Sequence, residues 1–578
     1  MTAVTDTVIV NKYSGDYRID VLLPSESARW NASKPVGTAV TVSFSFMSEA
    51  PSYADADDKK GFSVFNEEQK AATRLILAQI SEQIGITFVE VIDSTTTWGE
   101  LRFGNNDQGE TSAGYATYPD AAKSDAAGDL YINNKAADNL SKIVPGSFAW
   151  ATLVHEIGHT LGLKHPGNYN AGEKSSTTPD NFLAKAEDNG SNTVMSYTDV
   201  EQKQQRDFFG KYDMLALKYL YGTKSYHSGD DVYRFTDSDG TLLKLVGDTG
   251  GNDTIDVSAC TVAAKINLNA GANCSIGKIE SGVAAIDNIS LAYDALIENA
   301  IGTSFNDVLV GNGVANLLMG GAGNDVLDGG AGIDTAQFSG KRADFHLAKT
   351  STGFTATDKR TSEGTDTLVN MEILKFGDML VNLTVGDKAK SIAQDSLKSI
   401  VELYIAYFNR VPDGDGMAYW IDQFKAGASI ETIGQSFYAA AVSPTFSALT
   451  GYSATMSNSD FIKIIYQNVL GRDQVDQQGM DYWSGSLANG SHTRGSLINT
   501  ILFSAHSYKG KADYGWVADL LDNKFTIGKV FAIEQGLSYS SLQETYSKCA
   551  KIAAAVTATN MEIALTLIGV NDVGFSLT

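Results

Sequence analysis

The stretch His155-Glu156-Ile157-Gly158-His159-Thr160-Leu161-Gly162-Leu163-Lys164-His165 decides how the first part of this chain is read. On an α-helix, positions i and i+4 lie about 400° apart in rotation and one turn apart in height, so His155 and His159 project from one face. Two imidazoles at that separation suit a single zinc ion. Glu156 falls beside the ion without ligating it, where it can take a proton from water. Gly162 lets the chain leave the helix in a sharp turn, which returns His165 as a third ligand. The helix is predicted to open at Ser147, an N-cap just after Pro145-Gly146, and to run to about Leu161.

This arrangement matches the extended metzincin pattern, which also requires a methionine turn beneath the metal. Thr193-Val194-Met195-Ser196-Tyr197 places Met195 30 residues after His165. Here the chain resembles the serralysin family of bacterial zinc proteases. In that family a tyrosine two residues after the methionine can serve as a further zinc ligand that leaves when substrate binds, and Tyr197 matches it. The resemblance covers about the first 222 residues. The run Gly15-Asp16-Tyr17-Arg18-Ile19-Asp20-Val21-Leu22-Leu23, then Trp30 and the strand Val42 to Phe46, is similar to the family's opening. Tyr212 to Gly222 resembles the helix that closes its catalytic domain, with Met214, Leu217 and Tyr221 on one face and Gly222 as the stop. The segment Ala113 to Pro119 resembles the edge strand on which that family lays an extended substrate, which assigns Tyr115, Ala116 and Tyr118 to substrate binding. Edge-strand pairing reads backbone, so the resemblance implies broad specificity.

Around the motif the chain reads as mixed α and β. Val40 to Phe46 alternates like a strand, Asn66 to about Ile84 has helical spacing, and Thr97 to Phe103 and Gly128 to Ile132 look like short strands. The whole chain, at 578 residues, exceeds one core and suggests roughly three to four domains. Its 44 basic against 68 acidic residues, a net charge of −24, make nucleic acid a poor partner. They leave open whether the carboxylates serve solubility or hold hard cations. Three cysteines exclude a disulfide-dense scaffold, though Cys260 and Cys274 could pair. Residues 1–16 have neither the basic nor the apolar region of a Sec signal peptide, and no apolar run approaches the roughly 18 residues of a membrane span. Neither a Sec signal nor a transmembrane helix is therefore expected.

From about 223 to 385 the texture changes to Gly, Asp, Asn and short apolar pairs. Gly320-Gly321-Ala322-Gly323-Asn324-Asp325-Val326-Leu327-Asp328 is followed by Gly329-Gly330-Ala331-Gly332-Ile333-Asp334-Thr335-Ala336-Gln337, with degenerate copies starting at Gly302 and Gly311. This is the RTX nonapeptide of calcium-loaded parallel β-rolls. Glycines allow tight turns and expose carbonyls, Asp325 and Asp334 supply carboxylates, and Leu327 points inward. Calcium between turns neutralises carboxylates that would otherwise repel. Asp248-Thr249-Gly250-Gly251-Asn252-Asp253 and Ile297-Glu298-Asn299-Ala300-Ile301-Gly302 resemble calcium-binding segments of serralysin C-terminal domains. The candidate calcium residues are therefore Asp248, Gly250, Gly251, Asp253, Glu298, Gly302, Asp307, Gly320, Gly321, Gly323, Asp325, Gly329, Gly330, Gly332 and Asp334. In related proteins such domains fold after type I export on an uncleaved C-terminal signal, and Ile568 to Thr578 has the small and apolar character of one.

The last third is helical in pattern, with Asp395–Phe408 and Asp460–Leu470 as amphipathic helices. An internal repeat runs through it. Tyr404, Arg410, Gly416-Met417-Ala418-Tyr419-Trp420 and Gly427 recur as Tyr466, Arg472, Gly479-Met480-Asp481-Tyr482-Trp483 and Gly490. Each copy reads as helix, Asp/Gly loop, and a helix opening on the Tyr-Trp pair, and resembles a domain of unknown function in bacterial RTX and surface-layer proteins. Asp413, Asp415, Asp473 and Asp476 read first as loop caps and second as calcium ligands. The Tyr-Trp pairs read first as core and second as a sugar-stacking platform.

The expected architecture is multidomain: an α+β metzincin catalytic domain over 1–222, a parallel β-roll over 223–385, and an all-α domain with a secretion signal over 386–578. Whether a propeptide lies within about residues 1–20 is left open. The expected function is a secreted, extracellular zinc endopeptidase with one catalytic zinc and several structural calcium ions. Its expected partners are protein substrates, the type I secretion machinery and, if it is retained at the cell surface, surface-layer or envelope components. The alternative is a surface-layer or adhesion protein with a specialised or vestigial protease domain, which the complete zinc motif argues against.

Overall fold

The computed structural model describes residues 14–24, 28–110, 112–120, 124–169, 182–472, 474–570, 572 and 574–578. Most of the stretch weighed as a propeptide lies outside the described residues, as does Asp473. The chain divides into two compact units, Met1–Gly313 and Val314–Thr578.

The first unit opens on a five-stranded sheet. Its strands are β1 (Val40–Phe46), β2 (Ile86–Glu90), β3 (Leu101–Asn106), β4 (Gly114–Ala116) and β5 (Asp129–Asn133), in the order β2-β1-β3-β5-β4. All neighbours are parallel except β4, which runs antiparallel to β5 at the edge. The β3 strand starts four residues later than the expected Thr97. The hydroxyls of Ser45 and Ser43 accept from the Gly99 and Glu100 amides at 2.9 and 3.0 Å, which diverts that backbone before the ladder begins.

Helix α1 (Glu67–Gln83) is bounded as its spacing predicts, by an Asn66–Gln69 capping box. It buries Ala72, Ile76, Leu77 and Ile80. Helix α2 (Phe148–Thr160) begins where Ser147 Oγ accepts from the Trp150 amide at 3.2 Å. Its Leu153, Val154 and Ile157 join Leu101, Phe103, Leu130 and Ile132 in one core. Each such aliphatic chain contributes roughly 1.5–3 kcal/mol when fully buried. That burial fixes the helix carrying His155 and His159 against the sheet. Helix α3 (Lys211–Tyr221) ends at Gly222, whose φ of 87° provides the predicted stop.

After residue 222 most strands of this unit are three residues long. Val232–Arg234, Thr254–Asp256 and Asn299–Ile301 pair in parallel, as do Lys265–Asn267 and Val308–Val310. Cys260, Cys274 and Cys549 are buried free thiols, so Cys260 and Cys274 form no bridge.

The second unit continues the short-strand pattern. Leu317–Met319, Thr335–Gln337 and Ile373–Lys375 form one parallel ladder, and Val326–Asp328 pairs with Thr365–Val369 in another. Alternate repeats thus enter different ladders, each burying its middle residue: Leu318, Leu327 and Ala336.

Helices then dominate: α4 (Gln394–Phe408), α5 (Gly414–Lys425), α6 (Ile430–Ala441), α7 (Asn458–Leu470), α8 (Gln477–Ala488), α9 (Arg494–His506), α10 (Gly515–Lys529) and α11 (Leu542–Ala554). Among the described residues the region differs from the all-α expectation by a strand. Leu537–Tyr539, released by a turn at Gly536 with φ 64°, pairs antiparallel with Met379–Asn382. The Tyr-Trp pairs sit in the second turn of α5 and α8, not at their openings, because Asp413 and Asp476 cap those helices through the Gly416 and Gly479 amides. Among the described residues, no helix is long and apolar enough to cross a membrane.

Candidate metal centre and acidic repeats

His155, His159 and His165 converge. The His165 Nε2 lies 3.1 Å from Nε2 of both His155 and His159. The Nδ1 of His155 sits 2.8 Å from the Val194 carbonyl and that of His159 2.7 Å from the Leu163 carbonyl. Each Nδ1 is therefore the protonated donor, which leaves the Nε2 lone pairs facing a common point. Lone pairs brought this close repel unless a cation sits between them. Tetrahedral zinc with bonds of 2.0–2.1 Å places ligand nitrogens about 3.3 Å apart, so the donor set fits that ion. Burial and the two neighbouring imidazoles hold the His159 pKa well below its usual value, which keeps its lone pair available.

Gly162 makes the turn to His165 with φ 96°, and a Cβ there would come within 2.2 Å of the Ala28 carbonyl oxygen. No other residue fits. Glu156 is buried, and its Oε2 has no hydrogen-bond partner among the described residues. Burial pushes its carboxyl up to about 8. Gly114 in β4 packs against it, since an added Cβ would lie 3.0 Å from Glu156 Cγ.

Met195 is fully buried, with its sulfur against α2 where Gly158 leaves room, as a Cβ there would meet Sδ at 2.7 Å. The turn is held by Asp213 of α3, a residue whose role the sequence reading missed. Asp213 accepts from Thr193 Oγ1 at 2.5 Å, the Val194 amide at 2.8 Å and the Gly210 amide at 2.7 Å. Burial nevertheless raises its carboxyl to about 6.

The Tyr197 ring is 57% exposed, with its centre 4.5 Å from that of His165, and it stacks on Tyr169 at 4.9 Å. Asp188, also missed, accepts from both Tyr169 OH and Ser196 Oγ. A cavity of about 380 Å³ opens over Glu156, bounded by Gly114, Phe148, His155 and Tyr197. Of the expected substrate residues, Tyr115 turns its hydroxyl to Asp58 at 2.7 Å, Ala116 packs against the core, and Tyr118 sets its ring edge-on to His159 at 5.4 Å.

The candidate calcium residues form a second pattern. Asp231, Asp248 and Asp253 bring carboxylate oxygens within 4.8 Å of one another, and Asp231 was not anticipated. The Asp253 amide donates to Glu298 at 2.7 Å, the Asp325 amide to Asp366 at 2.9 Å, and the Asp334 amide to Glu372 at 2.8 Å. Each repeat aspartate thus has a second carboxylate beside it. Asp366 and Glu372 were missed, because they lie 41 and 38 residues from their partners. Burial, with the neighbouring acid adding to it, pushes Asp334 up to about 6.

Gly250, Gly251, Gly321, Gly323, Gly330 and Gly332 all have positive φ. At Gly329 a Cβ would lie 2.3 Å from the Asn370 carbonyl oxygen and 2.7 Å from an Asp334 carboxylate oxygen, so glycine is required there; Gly320 packs equally closely on Asp325. Gly302 is buried, and Asp307 accepts from the Thr303 and Ala264 amides.

Residues 39–209 match the metallo-peptidase family M12, residues 212–389 the peptidase M10 serralysin C-terminal family, and residues 438–508 a domain of unknown function, DUF4214. The chain is 35% identical over 328 residues to metalloprotease AprA of Pseudomonas entomophila, covering 53% of this chain and 65% of that protein. It is 37% identical over 274 residues to serralysin of Photorhabdus luminescens, covering 44% and 54%. Serralysin G of Dickeya chrysanthemi is 36% identical over 306 residues, covering 49% and 62%. Over residues 39–389 the chain is thus similar to serralysin-type metalloproteases. The chain spans between about half and two thirds of the length of these relatives, and the matched region is followed by helices that contain the DUF4214 match.

Proposed function

We propose that this chain is a secreted zinc endopeptidase that hydrolyses peptide bonds of proteins. Its glycine repeats form a calcium-stabilised β-roll, its export uses type I machinery, and its helical part retains it at the cell surface. The convergence of three imidazole Nε2 atoms beside a buried Glu156 carboxylate oxygen, unpartnered among the described residues, carries the reading.

When bound, zinc supplies the Lewis acidity that acidifies water and polarises the scissile carbonyl. Glu156 takes the proton from the attacking water and returns it to the leaving amine nitrogen. Its apolar surroundings suit both tasks, since they bring the carboxyl toward the working pH. The edge strand β4 offers its free side to the backbone of an extended substrate. Tyr197, exposed over His165, would add a further ligand to the three imidazoles that would hold the ion.

The test is Glu156→Ala in the full chain. Zinc content by metal analysis stays at the wild-type level while casein cleavage is lost; cleavage by that variant would refute the mechanism.

A further inference from the structure

The two copies of the helical repeat meet different fates. In the first copy the chain fills its own site. Tyr404 and Arg410 are buried, the guanidinium lies 4.8 Å from the Tyr404 ring centre, and it pairs with Asp413 at 2.9 Å. The Val411 amide donates to the Cys549 carbonyl at 3.3 Å and the Asp415 amide to Ser538 Oγ at 3.2 Å. The Gly536 carbonyl closes so tightly that a Cβ on Gly414 would come within 2.4 Å of it.

In the second copy the same residue types line a cavity of about 350 Å³, bounded by Tyr466, Arg472, Asp476, Tyr482, Tyr508 and Tyr514. That size lies within the range of small-molecule sites, about 300–1,000 Å³. The Arg472 guanidinium lies 4.9 Å from the Tyr514 ring centre, and its separation from Asp476 opens to 3.8 Å. Tyr482 is 65% exposed, and Tyr508 and Tyr514 are also open to solvent.

We propose that this cavity is a saccharide site that takes a pyranose unit of a neutral glycan. The Tyr482 face stacks on the carbon-bound hydrogens of a sugar ring, which carry the positive edge that an aromatic face attracts, while Tyr508 and Tyr514 carry Lys511 and Arg472 over their rings. Arg472 donates and Asp476 accepts, so the pair brackets neighbouring hydroxyls, each of which does both. Because Asp476 offsets Arg472, the local charge favours a neutral sugar over an acidic one. A proline-rich peptide fits less well, since the Trp483 indole N–H that would bond its carbonyls is committed to Tyr466 OH at 3.0 Å. An apolar protein surface would strip water from Arg472 and Asp476 at a cost. The proposal does not depend on the zinc reading.

The test titrates the calcium-loaded full chain calorimetrically with oligosaccharides of glucose, galactose, mannose and N-acetylglucosamine, and with a proline-rich peptide. At least one neutral glycan binds. Tyr482→Ala and Arg472→Ala each weaken binding at least tenfold. Tyr419→Ala, the exposed counterpart in the filled copy, changes it less than twofold. Tyr482 is exposed, so its truncation leaves the fold intact, checked by an unchanged melting temperature and unchanged casein cleavage. Absence of glycan binding at millimolar concentration, binding of the peptide instead, or full affinity in Tyr482→Ala would overturn the proposal.

Discussion

In the proposed reading the imidazole cluster and the acidic repeats solve the same problem, holding a cation, in opposite ways. At the first, the ligands are neutral, and at least two rings are anchored by backbone carbonyls, Val194 for His155 and Leu163 for His159. The protein can therefore form this cradle before its ion arrives. At the second, the pairs Asp253–Glu298, Asp325–Asp366 and Asp334–Glu372 set carboxyl groups side by side, and burial, with Asp325 adding to it, pushes Asp366 up to about 8. Such a site is costly when empty, so the proposed reading couples cation binding there to folding. Neutral ligands permit preorganisation, whereas charged ligands make the ion part of the fold.

The comparison can be broken most sharply at the cluster. His159→Ala removes one of the anchored rings and lowers kcat by about 10³-fold or more, as loss of several kcal/mol of charge stabilisation requires. Zinc content falls with it; cleavage that survives without zinc would remove the cluster from the chemistry. Next comes calcium removal. EGTA at zinc-sparing concentrations lowers the melting temperature by roughly 10 °C or more, because several ions leave together. An unchanged melt would mean that the repeats fold without cations.

Asp213→Asn tests the anchoring of the methionine turn. Its Oδ2 accepts from both Val194 and Gly210 and its Oδ1 from Thr193 Oγ1, so the amide substitute sets a donor against the Thr193 hydroxyl that donates there. Stability drops by about 1–3 kcal/mol in denaturant titration; a smaller change would show the turn is held elsewhere.

Asp129 is the control for the charged half. Burial is the main cause that raises its carboxyl to about 8, with Arg102 opposing, and its partner is Tyr53 rather than an ion. A raised carboxyl favours the protonated folded state, so the wild type loses stability as pH rises from about 4 to about 8. Asp129→Asn cannot ionise. Its melting temperature gains on the wild type through that window by about 5 °C, then levels off. A gap that varies with calcium would show that Asp129 belongs with the repeats.

Much of the zinc region was legible because its signals are local. Ser147, Gly162 and Gly222 sit where the backbone needs a cap or a positive φ, and α1 and α2 fall within a residue or so of their expected bounds. What escaped the sequence depends on distant partners. Asp213 reads as an ordinary first-turn helix residue until the fold brings the methionine turn to it. Asp366 and Glu372 lie outside the nonapeptides and meet Asp325 and Asp334 only through the ladders. Tyr and Trp of each repeat pair are adjacent in sequence, yet in the second copy Trp483 turns inward while Tyr482 faces water, a division set by the packing of α8.

The most direct test of the central claim is a zinc titration of the EDTA-stripped full chain in excess calcium, followed by casein cleavage at each point. The account predicts activity that rises linearly and breaks at one zinc per chain. Glu156→Ala should take up the same amount of zinc and stay inactive. Cleavage before any zinc is added, a break at another stoichiometry, or activity in Glu156→Ala would contradict it.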